Sequence, residues 1–365
     1  MTERAMSPSS IGEVFDVGRL RDFVVAAFAA AGATSEDADT AAEVLVSTEA
    51  RGVWSHGVQT LPIHLDNLLH GGTRSPTTLE IVRENAVTAT VDGKAGIGLV
   101  VATRANELAL AKARTSGLGL VLVRNSNHFG AAGHYALLTA AAGFIGIATS
   151  NASPIMTAPG SRTKVISNGP LAYAVPTGAE PVCLDIAMSA TAGMKVRRAA
   201  ANGEAIPLGW VVDSTGKPTT DPAAYANGGA LMPVGGHKGY GLSLLTETLA
   251  GALSGAAMTR QVVPWLVDTA TPTNAGHAFW AIDVESFMDR AEFYSRMRAL
   301  VAELRAAEPA EPDGTVLVPG DLEWRRERDA ARTGLRLHPG VEGRLEQVAE
   351  KFGLQDTLAA ARSHP

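Results

Sequence analysis

At 365 residues with 46% hydrophobic content, the chain can bury a sizeable core and has room for about two domains of ordinary size. A formal charge of −6 and a pI near 5.9 argue against nucleic acid as a partner, because phosphate backbones need a basic face. The one cysteine, Cys183, excludes an internal disulfide; flanked by Val182 and Leu184 it reads as a buried strand residue, which fits a cytoplasmic compartment without thiol chemistry.

No stretch has the roughly eighteen uncharged apolar residues of a membrane span, since the best candidate, residues 241–258, contains Glu247. The first ten residues lack the apolar core of a signal peptide and are expected to form a loose tail.

In chain order, Asp16 precedes an apolar set at Leu20, Phe23, Val24 and Phe28 that shares one helical face and stops at Gly32. A second helix starts with Thr34 and Asp37 in capping-box spacing, buries Ala38, Ala41, Ala42, Leu45 and Val46, and ends at Gly52. A turn over residues 51–57 then sets Ser55 and His56 beside Trp54, before a third helix through Leu61, Leu65 and Leu68. Near Thr78 the pattern changes: residues 79–83 and 86–92 predict a hairpin around Glu84-Asn85. A helix through Val101, Ala105, Leu108 and Ala109 follows.

The apolar run 120–123 stops at Arg124-Asn125-Ser126-Asn127, and a helix-compatible segment opens behind Gly130 and Gly133. This strand–loop–helix corner carries His128 at its apex. Its glycines let backbone approach a ligand closely, and the free N–H groups of the following helix favour an anion. Further strands are expected at 144–149, ending in Ser150-Asn151, at 171–175, after Ser167-Asn168-Gly169-Pro170, and at 182–186. Polar residues at the ends of buried strands must face a ligand or one another. Residues 189–201 read as a basic-faced helix, 203–221 as a loop, 235–241 as a glycine-rich helix start, 278–284 as a strand and 287–307 as a long helix. The expected organisation is a helical domain from 1–77 and 308–365 around an α/β domain at 78–307.

Familiar nucleotide and metal motifs are missing. Gly96-Ile97-Gly98 and Gly117-Leu118-Gly119 both lack a third glycine, so a Rossmann pyrophosphate turn is unsupported. Zinc is not indicated: no H-E-x-x-H occurs, and His128 and His134 are too far apart in sequence to share a helical face. Ser55 and His56 are adjacent, and neighbouring side chains diverge on a helix or strand, so a hydrolytic pair needs a special turn.

Four constellations remain. Ser55-His56-Gly57 offers an imidazole able to move a proton at neutral pH, or a histidine that caps the third helix. Asn127-His128-Phe129-Gly130 has the same two readings, in a strand-end setting. Residues 235–241 hold four glycines with His237 and Lys238, a cradle for phosphate or a flexible loop before a helix. Lys195 can hold a carboxylate or simply belong to an exposed basic face.

The blocks 51–57, 126–133, 185–189 with Lys195, 206–210 with 218–222, and 233–241 resemble those of the malate/L-lactate dehydrogenase family that lacks a Rossmann fold. That family includes ureidoglycolate and sulfolactate dehydrogenases, diketogulonate reductase and reductases of cyclic imino acids such as piperideine-2-carboxylate. The resemblance is colinear from about Arg51 to Gly320. It implies a non-Rossmann α/β (α+β) fold with a largely antiparallel cofactor-domain sheet, a nicotinamide cofactor (NAD or NADP), and hydride transfer at a 2-hydroxy, 2-oxo or 2-imino acid. It also implies a homodimer with the site near the subunit interface.

By position in this resemblance, His56 matches the proton donor, Ser55 its hydrogen-bonding neighbour, and His128 a histidine that serves as base in some members. Lys195 falls where members carry a Lys or Asp supporting the catalytic relay. Phe129, Gly130, Ala131, Ala132, Asp185, Ile186, Ala187, His237, Lys238, Pro319 and Gly320 fall in cofactor-binding stretches, together with His128 itself.

Two positions depart from the family. Thr60 stands where an arginine commonly forks onto the substrate carboxylate, which a neutral hydroxyl cannot imitate. Ser167-Asn168-Gly169-Pro170 stands for Gly-Thr-Asn-Pro, setting Asn168 on the substrate side. The expectation is an intact dehydrogenase with an altered acid-recognition pocket, for an amide-bearing, bulkier or less charged substrate, with His64 or Arg51 as a replacement cation. Two other classes stay open: a nicotinamide-nucleotide-binding protein without turnover, and a hydrolase using Ser55.

Overall fold

The computed structural model describes residues 12–312 and 314–362; the expected N-terminal tail, residues 1–10, lies outside them. The opening helices form as their caps and apolar stripes dictate. The Asp16 side chain accepts the Arg19 N–H at 2.9 Å to start Val17–Ala30, and Leu20, Phe23, Val24 and Phe28 are buried on one face. Thr34 caps Ser35–Ala50 by accepting the Asp37 N–H. The C-terminal segment packs back on this pair: Val14–Phe15 pairs with Leu335–Arg336, and the Asp16 N–H donates to the Ala361 carbonyl at 2.9 Å.

A seven-stranded sheet forms the centre. In spatial order its strands are Glu80–Glu84, Thr88–Asp92, Leu118–Ser126, Ala275–Asp283, Phe144–Ser150, Pro170–Val175 and Val182–Ala187. The one parallel pair joins Thr88–Asp92 to Leu118–Ser126, and every other pairing is antiparallel. This is a non-Rossmann α/β fold with a largely antiparallel sheet. The late strand Ala275–Asp283 inserts between Leu118–Ser126 and Phe144–Ser150, so the polar ends of both neighbours meet His277 from either side.

A five-stranded sheet grows from the excursion between Phe144–Ser150 and the helix His237–Thr246. Its order is Pro218–Thr219, Val211–Val212, Ala230–Leu231, Met156–Thr157, Lys164–Ile166. It has its own buried cluster, with Met156, Ile166, Val211, Tyr225 and Leu231, while a larger cluster joins both terminal helical segments to the central sheet. Residues 203–221, expected to be a loop, thus contribute two strands. They are two residues long and pair with each other as a short hairpin, too short for alternation to mark them. The helix expected from Ser189 begins at Gly193, because residues 188–190 are held antiparallel against 232–234, the Ala190 N–H donating to the Met232 carbonyl at 2.7 Å. Among the described residues no helix is long and apolar enough to cross a membrane.

Candidate active site

The first part of the site is made by the turn that follows Ser35–Ala50. Glu49, 3% exposed, accepts the Val58 N–H at 2.9 Å. Gly57 passes so close that a Cβ there would lie 2.1 Å from the same carboxylate oxygen, so only glycine fits. Burial pushes the Glu49 carboxyl up to about 8, with the Val58 N–H pulling the other way. Two short 3₁₀ turns, Trp54–His56 and Val58–Thr60, result. They bring the Ser55 hydroxyl to 2.8 Å from His56 Nδ1, so two neighbours that would diverge on a regular helix or strand meet here.

The second part is the loop after Leu118–Ser126. Asn127 pins it: its side-chain oxygen accepts the Thr273 N–H and its amide donates to the Gly96 carbonyl, both at 2.9 Å. His128 then lies flat between two other rings. Its centroid is 5.6 Å from that of His56 at an interplanar angle of 15°, and 3.9 Å from Trp265 at 11°. His64, from the helix Leu61–His70, tilts against the same stack, 5.5 Å from His128 and 5.1 Å from Trp265. His64 is 5% exposed and its Nε2 has no hydrogen-bond partner among the described residues, whereas His56 and His128 keep part of their surface open.

All three imidazoles are held neutral at physiological pH. Burial lowers His56 to about 4; burial, then the neighbouring His56, lowers His64 to about 3; His128 is driven well down by burial and by His64, His56 and His277. His64, put forward from the sequence as a replacement cation, is therefore a neutral imidazole at pH 7 in the ligand-free chain. The rings stack rather than converge on a point, and among the described residues no group of His, Cys, Asp or Glu could hold a metal.

Phe129 ties the stack to the sheet. It lies parallel to His277, 4.6 Å between centroids, and His277 hydrogen-bonds the hydroxyls of Ser126 and Ser150, each at 2.8 Å.

The loop then leads from Gly130 through Ala131 and Ala132 into a cavity of about 290 Å³. Ala131, Asp185, Ile186, Pro319 and Gly320 line it, five of the residues expected at a cofactor. Asp185 accepts the Gly133 N–H at 2.7 Å, and burial raises its carboxyl to about 6. Arg51 is also here, away from the imidazoles: its guanidinium bonds Glu327 at 2.6 Å and covers the Trp324 ring at 4.1 Å.

Other expected residues stand apart. Thr60 is buried and its hydroxyl donates to the Gly57 carbonyl at 2.8 Å, serving the turn. The Asn168 amide donates to Ser189 at 3.3 Å. Lys195 is exposed, and no hydrogen bond or ion pair joins it to His56 or His128. His237 and Lys238 are exposed at the start of their helix, behind Gly235 and Gly236, and Ala187 ends the edge strand. Glu49, Trp265 and His277 were not expected; the only sequence signal for Trp265 is a lone tryptophan in a Pro- and Thr-rich loop.

The pattern of the malate/L-lactate dehydrogenase family matches residues 15–346. The malate dehydrogenase of Pyrococcus abyssi is 35% identical over 343 residues, 92% of this chain and 94% of that one. The L-sulfolactate dehydrogenase of Methanothermobacter thermautotrophicus is 36% identical over 322 residues, covering 87% and 91%. The solved structure of malate dehydrogenase from Pyrococcus horikoshii is 32% identical and superposes with a TM-score of 0.88 over 97% of this chain and 99% of that one. The chain therefore belongs to the malate/L-lactate dehydrogenase family and is an oxidoreductase.

Proposed function

We propose that the enzyme transfers hydride between a nicotinamide cofactor and a 2-hydroxy, 2-oxo or 2-imino acid-like substrate, with His56 giving and taking the proton. The observation that carries this is the Ser55–His56 pair beside His128. The Ser55 hydroxyl occupies Nδ1, which directs Nε2 outward to the substrate. Because a hydroxyl can accept as well as donate, it also steadies the imidazolium that forms when Nε2 takes a proton. A neutral imidazole at pH 7 suits removal of the substrate's hydroxyl proton; in the reductive direction, a bound anionic group must raise the pKa of His56.

The residues present fit a dinucleotide. The His56–His128 stack offers a partly open aromatic wall, the cavity beyond Ala131 offers a second end, and the His64 Nε2 is a buried polar atom that lacks a partner. When bound, the cofactor supplies or accepts the hydride. The chain's own residues hold the reacting carbon beside His56, and Trp265 shields the far face of His128 from water.

The stack contains no guanidinium or ammonium group, which supports an altered pocket that reads its substrate by hydrogen bonds and aromatic contact. His64, one helical turn beyond Thr60 and without a partner at Nε2, serves in place of the usual arginine. We also propose a homodimer. The helix His237–Thr246 and its continuation Glu247–Leu253 expose Leu242, Leu244, Leu245 and Leu253, an apolar surface that an identical copy would cover.

The experiment is a spectrophotometric panel of 2-oxo and cyclic 2-imino acids with NADH and NADPH. Nucleotide oxidation fastest with an amide-bearing or bulky acid supports the reading. Pyruvate as the best substrate counts against the altered pocket, and no oxidation with any acid counts against hydride transfer.

A further inference from the structure

The cavity beyond Ala131 has a charge that bears on the cofactor. Three charged side chains line it: Arg51, Asp185 and Glu323. Arg51 is already neutralised by Glu327 at 2.6 Å and pressed on Trp324. Asp185 spends one oxygen on the Gly133 N–H, and Glu323 has no hydrogen bond or ion pair among the described residues. His134, the remaining titratable neighbour, is held neutral by burial and by Arg51, and bonds the Ser47 hydroxyl at 2.9 Å. The lining is thus net negative, with two carboxylates offering free acceptor oxygens. Its other walls are apolar, with Leu137, Leu317 and Leu322.

The position of this cavity says which end of a dinucleotide it receives. The reacting ring must lie within reach of the imidazoles, and none of His56, His64 or His128 lines the cavity. A dinucleotide with its reacting ring at the imidazoles would bring its opposite end here, the base against Leu137, Leu317 and Leu322 and the adjoining ribose beside the carboxylates.

We propose that Asp185 and Glu323 make this enzyme select NAD(H) over NADP(H), by accepting hydrogen bonds from the adenosine ribose hydroxyls and repelling a 2′-phosphate. This rests on the hydride-transfer reading and specifies its cofactor. A carboxylate accepts from a ribose diol but faces a phosphate with like charge, and such juxtaposition is costly where water is scarce. The basic residues Arg162, Lys164 and Arg197 do not offset it: they belong to the small lobe, where Arg162 lines a different cavity that shares no residue with this one.

Calorimetric titration of the enzyme with NADH and NADPH, in the absence of substrate, tests this. NADH is expected to bind at least about tenfold tighter, with a ratio that shrinks as salt is raised. In Glu323→Arg the ratio is expected to fall several-fold, through stronger NADPH binding, while Glu323→Gln falls between. Equal or tighter NADPH binding, or an unchanged ratio in Glu323→Arg, overturns the selectivity and leaves the hydride-transfer reading standing. Binding of neither nucleotide overturns both.

Discussion

The Ser55 hydroxyl and His56 Nδ1 lie 2.8 Å apart across consecutive residues, a contact made by a 3₁₀ turn. If His56 handles the proton, His56→Ala lowers turnover by about 10²–10⁴ with nucleotide affinity little changed. Ser55→Ala, which removes one neutral hydrogen bond, costs roughly tenfold or less. Steady-state kinetics with a separate nucleotide titration measures both. Should His128→Ala be the damaging change and His56→Ala be mild, the two roles are exchanged.

Gly57→Ala is predicted to impair catalysis without contacting substrate. Its Cβ would meet the buried Glu49 carboxylate at 2.1 Å, so the turn carrying His56 must shift. Misplacing a catalytic group by about an ångström costs on the order of a hundredfold. kcat should fall by that order while the Tm moves by only a few degrees, and unchanged kcat would show that the turn tolerates displacement.

The buried ionisable groups set a pH dependence of stability. His56, His64, His134 and His277 are lowered to about 4, 3, 4 and 3, so the folded state refuses protons that the unfolded chain binds below about 6.5. Their contribution is present above 6.5 and lost as pH falls through that window. Glu49 and Asp185 are raised, to about 8 and 6, and act oppositely, losing stability as pH rises from their unfolded values. The histidines, His128 among them, outnumber them, so stability rises between pH 5 and 6. The unfolded imidazoles finish titrating just above pH 7, where Glu49 takes over and stability declines gently to pH 8. Urea melts of the nucleotide-free enzyme across pH 5–8 check this, and maximal stability at pH 5 would contradict it.

His277→Leu is predicted to destabilise by about 2–4 kcal/mol, since it strands the Ser126 hydroxyl in the core. The double change Ser126→Ala with His277→Leu should recover part of the loss, because both partners are then apolar. Additive losses in a double-mutant cycle would mean that the bond contributes nothing.

Much of this was legible in the sequence, for identifiable reasons. Asp16 and Thr34 announce helices because local caps act within four residues, and the runs 144–149, 171–175 and 182–186 announce strands because burial on a sheet demands continuous apolar character. Ser55, His56 and His128 stood out because the chain breaks its periodicity there. The small lobe was hidden, since two-residue strands such as Val211–Val212 are too short to show alternation, whether they pair locally with Pro218–Thr219 or across to Ala230–Leu231. Trp265 and His277 were hidden too: what matters is the ring each faces, Trp265 on His128 and His277 on Phe129, and that depends on tertiary stacking across more than a hundred residues. The bond from the Thr60 hydroxyl back to the Gly57 carbonyl likewise needed coordinates, because a threonine at a helix start looks the same whether it serves substrate or backbone.

The most direct test is a crystal structure of the enzyme with its dinucleotide bound. The account predicts the nicotinamide ring against the His56–His128 stack, within a few ångströms of His56 Nε2, and the adenosine in the cavity lined by Asp185 and Gly320. A nicotinamide ring held elsewhere, or a dinucleotide that contacts neither the stack nor that cavity, would contradict it.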